Sequence, residues 1–280
     1  MIKANKSLGQ NFLTDGGVAR RIIGEVSPLP NDIVIEIGPG TGALTGMLVK
    51  QSGYVVAVEI DDRLVEGLRR SLKAENLTVI NADALGLDWT ELISDAKTKL
   101  YSHRSGDTYS IRVRIVANLP YYISTPLIER LLSIRGQLFD MTLMLQKEVA
   151  ARITTRPGNK DYGYLSVMVQ YYCEATKLFD VPASAFTPVP KVESSVIRLT
   201  VHVRPPVEIE DETQLFAVVR ASFAQRRKTI LNNLKAAAGV LNVTGSLEPA
   251  LGAALIDPRR RAETLSLEEF VRLCKALKRG

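Results

Sequence analysis

The sequence predicts an α/β fold: a mostly parallel sheet flanked by helices, with a small helical domain at its C-terminal side. Three observations carry this expectation. Short β-branched runs near residues 33, 55, 78 and 113 alternate with amphipathic stretches, the pattern of a parallel sheet with crossover helices. The first run, Ile33-Val34-Ile35-Glu36-Ile37, passes directly into Gly38-Pro39-Gly40-Thr41-Gly42. At 280 residues the chain is long enough for one large domain and an appendage. The expected division is 1–204 and 205–280.

Taken in order, a basic N-terminal segment precedes a helix near 18–26. Strands follow at 33–37, 55–58, 78–80 and 113–117, with a helix beginning near Thr41 after the glycine turn. The polar stretch 95–112 reads as a surface loop inserted before the fourth strand. Residues 124–133 read as a helix, 141–145 as a buried strand and 147–153 as the start of another helix. The runs 176–179 and 192–201 are expected to form an antiparallel pair that completes the sheet. Val203-Arg204-Pro205-Pro206-Val207, followed by the acidic 208–212, has the composition of a linker. Beyond it Leu215, Val219, Phe223, Ile230 and Leu234 recur on one side of a helical pattern, leaving Arg226, Arg227 and Lys228 outside it.

Composition narrows the function. A hydrophobic content of 46% with 24% charged residues is that of a globular protein. No apolar stretch is long enough to span a bilayer and the N-terminus lacks the apolar core of a signal peptide, so a cytoplasmic protein without a membrane partner is expected. Cys173, Cys274, His103 and His202 are each isolated, which leaves no spacing for a metal site and no His-based triad. A net charge of +6 favours a polyanionic partner. The exposed clusters Arg226-Arg227-Lys228 and Arg259-Arg260-Arg261 suit a phosphate backbone.

The glycine turn formally fits G-x-G-x-x-G/A, ending at Ala43, and therefore suits a dinucleotide as well as S-adenosylmethionine. Gly38 and Gly40 let backbone approach a ligand closely. Glu59, about the expected distance further on, fits either ligand; what favours the sulfonium compound is Glu36, Asp83 and the delivery of Asn118 by the fourth strand. Glu36 suits a cationic amino acid moiety better than a pyrophosphate. Glu59, ending the second strand, can accept from two ribose hydroxyls, or can instead serve as a helix N-terminal acid beside Asp61. Asp83, after the third strand, is placed to read an adenine amino group, or to cap a short helix through Trp89.

The fourth strand delivers Asn118-Leu119-Pro120-Tyr121 to the same sheet edge, where open α/β folds bind ligands. An exocyclic adenine amine is a poor nucleophile because its lone pair is delocalised. Acceptors that draw its two N–H groups out of plane restore reactivity, and Asn118 with a carbonyl of Leu119 or Pro120 supplies them. Pro120 biases Leu119 towards an extended conformation, and Tyr121 offers a stacking face. Phe186, in Phe186-Thr187-Pro188-Val189-Pro190-Lys191, either closes an aromatic sandwich with Tyr121 around an extruded base or is a hydrophobic turn before an edge strand.

These motifs, in order with Ser7-Leu8-Gly9-Gln10-Asn11-Phe12-Leu13, Phe223-Ala224-Gln225-Arg226-Arg227-Lys228-Thr229 and Arg261-Ala262-Glu263-Thr264-Leu265-Ser266, closely resemble the small-subunit rRNA adenine N6,N6-dimethyltransferase A family. The resemblance covers nearly the whole chain. It implies a Rossmann-like class I S-adenosylmethionine-dependent methyltransferase domain with a small C-terminal helical domain. It implies cofactor contacts at Asn11, Leu13, Gly38, Glu59, Asp83 and Asn118. It also implies dimethylation of two adjacent adenosines in the 3′-terminal hairpin loop of small-subunit rRNA, within a pre-30S particle, and a monomer is expected. Two features depart from the family: Tyr122 stands where Asn is usual, and the link 95–112 is long. Two rivals are a large-subunit rRNA methyltransferase of the macrolide-resistance branch and a non-catalytic assembly factor. Leu119, Pro126 and the 226–228 cluster favour the small-subunit branch over the first, and intact Glu36, Gly38, Glu59 and Asn118 argue against the second.

Overall fold

The computed structural model describes residues 4–5, 8–102, 110–120, 123–241 and 246–278. The chain divides into two compact units, one comprising Met1–Ala150 with Thr176–Val201 and the other Ala151–Ala175 with His202–Gly280.

The first unit is built on a seven-stranded sheet. Its members are β2 (Asp32–Ile37), β3 (Tyr54–Glu59), β4 (Leu77–Asn81), β5 (Arg112–Asn118), β6 (Asp140–Gln146), β7 (Cys173–Val181) and β9 (Ser194–Val201), in the order β4-β3-β2-β5-β6-β9-β7. Neighbours from β4 to β6 run parallel, and β9 joins β6 antiparallel. β2 and β3 are buried along their whole length, as strands covered on both faces must be. The late pair read at 176–179 and 192–201 closes the sheet as neighbouring strands. A separate two-stranded ladder joins β1 (Phe12–Leu13) to β8 (Phe186–Thr187), with Leu13 opposite Phe186.

Helices α1 (Gly16–Val26), α2 (Thr45–Gln51), α3 (Asp62–Ser71), α4 (Trp89–Ser102), α5 (Ser124–Ser133) and α6 (Lys147–Thr154) accompany the strands. α1 turns Ala19, Ile22, Ile23 and Val26 inward and is capped by Asp15, which accepts from the N–H groups of Gly17 and Val18. Two expectations are corrected. The helix after the glycine turn starts at Thr45 rather than Thr41, because Gly40 and Gly42 hold positive φ (58° and 87°) and Gly42 N–H closes a turn onto Pro39. The stretch from 95 to 102 is helix rather than loop, since Leu92, Ile93, Ala96 and Leu100 form one buried stripe with Trp89. The rest of the expected insertion, 103–109, lies outside the described residues.

At the N-terminal end of the strands Arg112 makes two hydrogen bonds to Asp32 (2.7 and 2.8 Å), and Arg114 makes two to Asp140 (2.8 and 2.5 Å). Arg114 also reaches Asp32 at 3.4 Å. This buried network pins β2, β5 and β6 to one another.

The second unit contains α7 (Tyr164–Tyr172), α8 (Glu212–Ser222), α9 (Ile230–Ala236), α10 (Leu247–Ala253) and α11 (Leu267–Lys278). Residues 151–175 pack here, whereas the sequence reading placed them with the sheet. α7 is buried over most of its surface, and Tyr164, Tyr171 and Tyr172 surround Phe216 of α8 with ring centroids 5.3–6.5 Å apart. The helical pattern through 215–234 is also corrected. It breaks at 223–229, where buried Asn233 donates to the carbonyls of Ser222 (2.7 Å) and Gln225 (3.1 Å) and accepts from Gln225 N–H (3.1 Å). Thr229 then caps α9 through Asn232 N–H. Among the described residues no helix is long and apolar enough to cross a membrane, and no His, Cys, Asp and Glu cluster is arranged to hold a metal.

Candidate active site

The C-terminal ends of β2 to β5 frame a cleft of about 1370 Å³, its open mouth included. The glycine turn forms its floor. Gly38 and Gly40 both adopt positive φ, and Gly38 N–H donates to Val58 at 2.9 Å. A Cβ on Gly40 would lie 3.1 Å from the Phe12 ring, so the turn must stay bare for the N-terminal segment to pack on it.

Glu36, next to the end of β2, lies on the cleft wall and is 2% exposed. Its Oε2 is buried without a hydrogen-bond partner. Burial pushes the carboxyl up to about 7; the Thr45 hydroxyl opposes that rise and the Glu59 charge adds to it. A buried carboxylate oxygen left unpaired is costly, and a cation placed in the cleft would offset that cost.

Glu59 is occupied. Its Oε2 accepts from Gly40 N–H at 3.2 Å, and its Oε1 from Ile60 and Asp61 N–H at 3.0 Å each. Burial raises its pKa while these three bonds lower it. The acid therefore holds the glycine turn against the end of β3, and lone pairs remain for hydroxyl donors. Asp83 is exposed at the cleft mouth and accepts from Leu85 N–H at 2.9 Å. It caps no helix, because Asp88 takes that role for α4 through the N–H groups of Thr90 and Glu91. Ile60, 47% exposed, adds an apolar surface next to Glu59.

Across the cleft β5 delivers Asn118. Its Nδ2 donates to the Asn11 carbonyl at 3.3 Å, and no described residue donates to its Oδ1. Leu119 N–H is used by Met144 at 3.1 Å, and the Pro120 carbonyl accepts from Ile123 N–H at 3.3 Å. No described residue donates to the Leu119 carbonyl. Of the two carbonyls, that of Leu119 is thus the one without a donor among the described residues. Tyr121 and Tyr122 lie outside the described residues. Phe186 lines the cleft but is 2% exposed and packs in the core with Leu13 and Val196. Its ring is a wall here.

Sequence reasoning missed the clamp that holds the N-terminal segment over the cleft. Gln10 Nε2 donates to Asp61 Oδ2 at 3.0 Å, and Gln10 Oε1 accepts from Asn5 N–H at 2.7 Å. Asp61 is also gripped by Arg63 at 2.6 Å, and this guanidinium, helped by Gln10, holds its carboxyl down at about 2. With β1 on β8, the clamp brings Asn11 and Leu13 into the lining. Contacts between residues this far apart in sequence leave no local signal.

The two basic clusters fall in the second unit. Arg226, Arg227 and Lys228 are exposed in the loop between α8 and α9, not on a helix. Ile230 N–H, the first of α9, donates to the Arg260 carbonyl at 2.7 Å, so the structure brings the clusters side by side. Arg259 is 88% exposed and paired with Asp257 at 2.8 Å. Arg260 is pinned internally by Glu269 and by the Thr264 carbonyl at 2.6 Å, a structural use of one predicted RNA contact. Arg261 is exposed.

A mostly parallel sheet whose first strand carries, next to its end, a buried acid with one oxygen unpartnered and then a bare glycine turn, with an Asn-Leu-Pro at the end of the fourth lining the same cleft, defines a Rossmann-like class I S-adenosylmethionine-dependent methyltransferase. The family model described as Ribosomal RNA adenine dimethylase matches residues 1–278, and the chain belongs to that family. Two curated relatives carry the name Ribosomal RNA small subunit methyltransferase A. The one from Geobacillus sp. (strain WCH70) is 46% identical over 279 residues, covering 97% of this chain and 91% of the relative. That from Moorella thermoacetica is 45% identical over 274 residues, covering 97% and 92%. Among solved structures, a dimethyladenosine transferase from Plasmodium falciparum superposes with a TM-score of 0.73 at 25% identity, covering 94% of this chain and 95% of its own. The 23S rRNA methyltransferase ErmE does so with 0.67 at 27% identity, covering 96% and 100%.

Proposed function

We propose that this chain, an S-adenosylmethionine-dependent rRNA adenine dimethyltransferase, modifies N6 of two adjacent adenosines in the 3′-terminal hairpin loop of small-subunit rRNA. The substrate in this reading is a pre-30S particle and the enzyme acts as a cytoplasmic monomer. The small-subunit assignment rests on relatives at 45–46% identity that are named for that subunit. The likeness to ErmE, lower in identity, keeps the large subunit as the control.

When bound, the cofactor supplies an electrophilic methyl group on a sulfonium. Glu36 suits its ammonium, because Oε2 is otherwise an orphaned buried acceptor. Glu59 and Asp83 suit its ribose hydroxyls and adenine amine. Gly38, Gly40, Asn11 and Leu13 shape the walls. Asn118 Oδ1 and the Leu119 carbonyl then accept the two N–H groups of the target amine, which localises its lone pair, while Pro120 holds the strand end, buried Phe186 backs the cleft wall and Tyr121 flanks the base. Positioning and electrostatics carry the catalysis. No side chain must act as a strong base, since methylation acidifies the amine and its proton passes to water. Arg226, Arg227, Lys228, Arg259 and Arg261 bind phosphates, and Arg260 supports them.

The single observation that carries this reading is the pair of acceptors at the end of β5 to which no described residue donates, in a cleft whose wall holds the orphaned Oε2 of Glu36. Asn118→Ala removes one acceptor without touching the phosphate-binding residues. Single-turnover methyl transfer should fall by 10²-fold or more, the order seen when one transition-state-directed hydrogen-bonding group is lost, with RNA affinity unchanged. Wild-type single-turnover rates would refute the mechanism.

A further inference from the structure

A third basic segment, Arg156 to Lys160, lies beside the two clusters in the second unit. Residues 156–160 are all exposed and form a tight turn in which Gly158 has φ of +90° and Tyr162 N–H donates to the Asn159 carbonyl at 3.0 Å. The turn is fastened on both sides. Arg226 Nη2 donates to the Lys160 carbonyl, and Gly158 N–H donates to the Glu263 carbonyl at 2.7 Å. Buried Tyr162 anchors it, packing edge-on against Phe223 with centroids 6.2 Å apart. Since Ile230 also ties to Arg260, the segments at 156–160, 226–230 and 258–263 form one continuous strip.

Charge on this strip is unbalanced. Asp257 and Glu269 are already paired with Arg259 and Arg260. Among the described residues Arg156, Lys160, Arg226, Arg227, Lys228 and Arg261 make no ion pair, and Asp161 and Glu263 engage none of them. A protein that leaves six cations unpaired on loops braced by main-chain hydrogen bonds keeps self-repulsion in the free state, which a polyanion relieves. Bracing also lowers the ordering cost on binding.

We propose that Arg156 and Lys160 bind rRNA phosphates as a third segment of the surface that carries Arg226 to Lys228 and Arg261. This extends the RNA reading above and rests on it. In the role assigned here Arg226 does two things: it holds the turn through the Lys160 carbonyl and contributes its charge to the strip. The Arg156–Lys160 turn binds phosphate backbone and reads no base.

The test is equilibrium binding of unmethylated small ribosomal subunits at several salt concentrations, using the full-length wild type, Arg156→Ala/Lys160→Ala and Arg227→Ala/Lys228→Ala. Each lost phosphate contact removes about 0.7–0.9 from the log–log salt slope. The Arg156/Lys160 variant should therefore lose roughly 1.4–1.8. Between 50 and 200 mM salt the wild type should weaken by roughly 7- to 12-fold more than this variant. Cofactor affinity by calorimetry should be unchanged, which checks that the sheet unit is intact. A wild-type slope for Arg156→Ala/Lys160→Ala alongside a reduced slope for Arg227→Ala/Lys228→Ala overturns this inference alone. Wild-type slopes for both variants overturn it together with the assignment of the second unit to RNA.

Discussion

Asn118 Nδ2 donates to the Asn11 carbonyl at 3.3 Å, joining the end of β5 to a segment 107 residues earlier in the chain. The bond uses one of the two N–H groups of the amide, and no described residue donates to its oxygen. The orientation of the amide proposed to activate the target amine thus depends on where the N-terminal segment lies, and Gln10 ties that segment to Asp61.

Gln10→Ala should accordingly slow methyl transfer although Gln10 has no role in the chemistry. A hydrogen bond to a charged group contributes about 1.5–3 kcal/mol, so the segment would shift often enough to lower the single-turnover rate severalfold and to raise KM for the donor. Thermal melting should move little, because β1 still pairs with β8. An unchanged rate and KM would mean that the clamp is only structural.

Glu36→Gln should stabilise the free protein at pH 8 and weaken donor binding at the same time. Glu36 titrates near 7 when folded against 4.5 unfolded. The folded state therefore holds the extra proton between those values, and stability falls as pH rises through this window. At about 1.36 kcal/mol per unit, Gln should recover about 1–3 kcal/mol at pH 8 and nothing below pH 4.5. For wild-type donor binding the sign is opposite, since the ammonium needs the carboxylate: affinity should weaken as pH drops below 7, by up to about tenfold per unit. Calorimetry at pH 5.5, 7 and 8 checks both directions.

For Glu59 the informative change is Gln rather than Ala. Ala would remove more than a ribose contact, because the three N–H groups held by this carboxylate would be stranded as well. Glu59→Gln keeps an acceptor for part of that set. It should weaken donor affinity by about 10-fold with a small loss of melting temperature, whereas Glu59→Ala should lose both.

Asp140→Asn tests the other end of the sheet. It leaves the buried Arg114 guanidinium with Asp32, at 3.4 Å, as its one carboxylate partner among the described residues, beside the Ser27 carbonyl at 3.2 Å. Removing one partner of a buried pair costs about 3–5 kcal/mol, at the lower end here because Asp32 remains. A drop in Tm of roughly 6–12 °C is expected for a unit of this size, with donor affinity at 25 °C unaffected. A Tm within 2 °C of wild type would show that the network contributes little.

Much of the sheet was legible because its strands are short β-branched runs buried on both faces, which leave no polar alternation to confuse them. The start of the cofactor cleft was legible for a related reason: glycines at positive φ admit few other residues. What escaped had physical causes. Asp95, Lys97 and Lys99 on the outer face of α4 hide the inward stripe of Ala96 and Leu100, so a helix read as a loop. The helical spacing of Phe223 and Ile230 persists across a break that only Asn233, folding back on Ser222 and Gln225, creates. Gln10 reaching Asp61, or Gly158 reaching Glu263, joins segments with no local pattern in common. Arg260 looked like its neighbours until its partner Glu269 was known.

The most direct measurement is transfer of labelled methyl from S-adenosylmethionine to separated, unmethylated small and large ribosomal subunits, followed by nucleoside analysis of each rRNA. The account predicts label only in small-subunit rRNA, as N6,N6-dimethyladenosine at two adjacent positions near the 3′ end, and its loss with Asn118→Ala. Label in large-subunit rRNA, or none in the small subunit with wild-type enzyme that binds the donor, would contradict it.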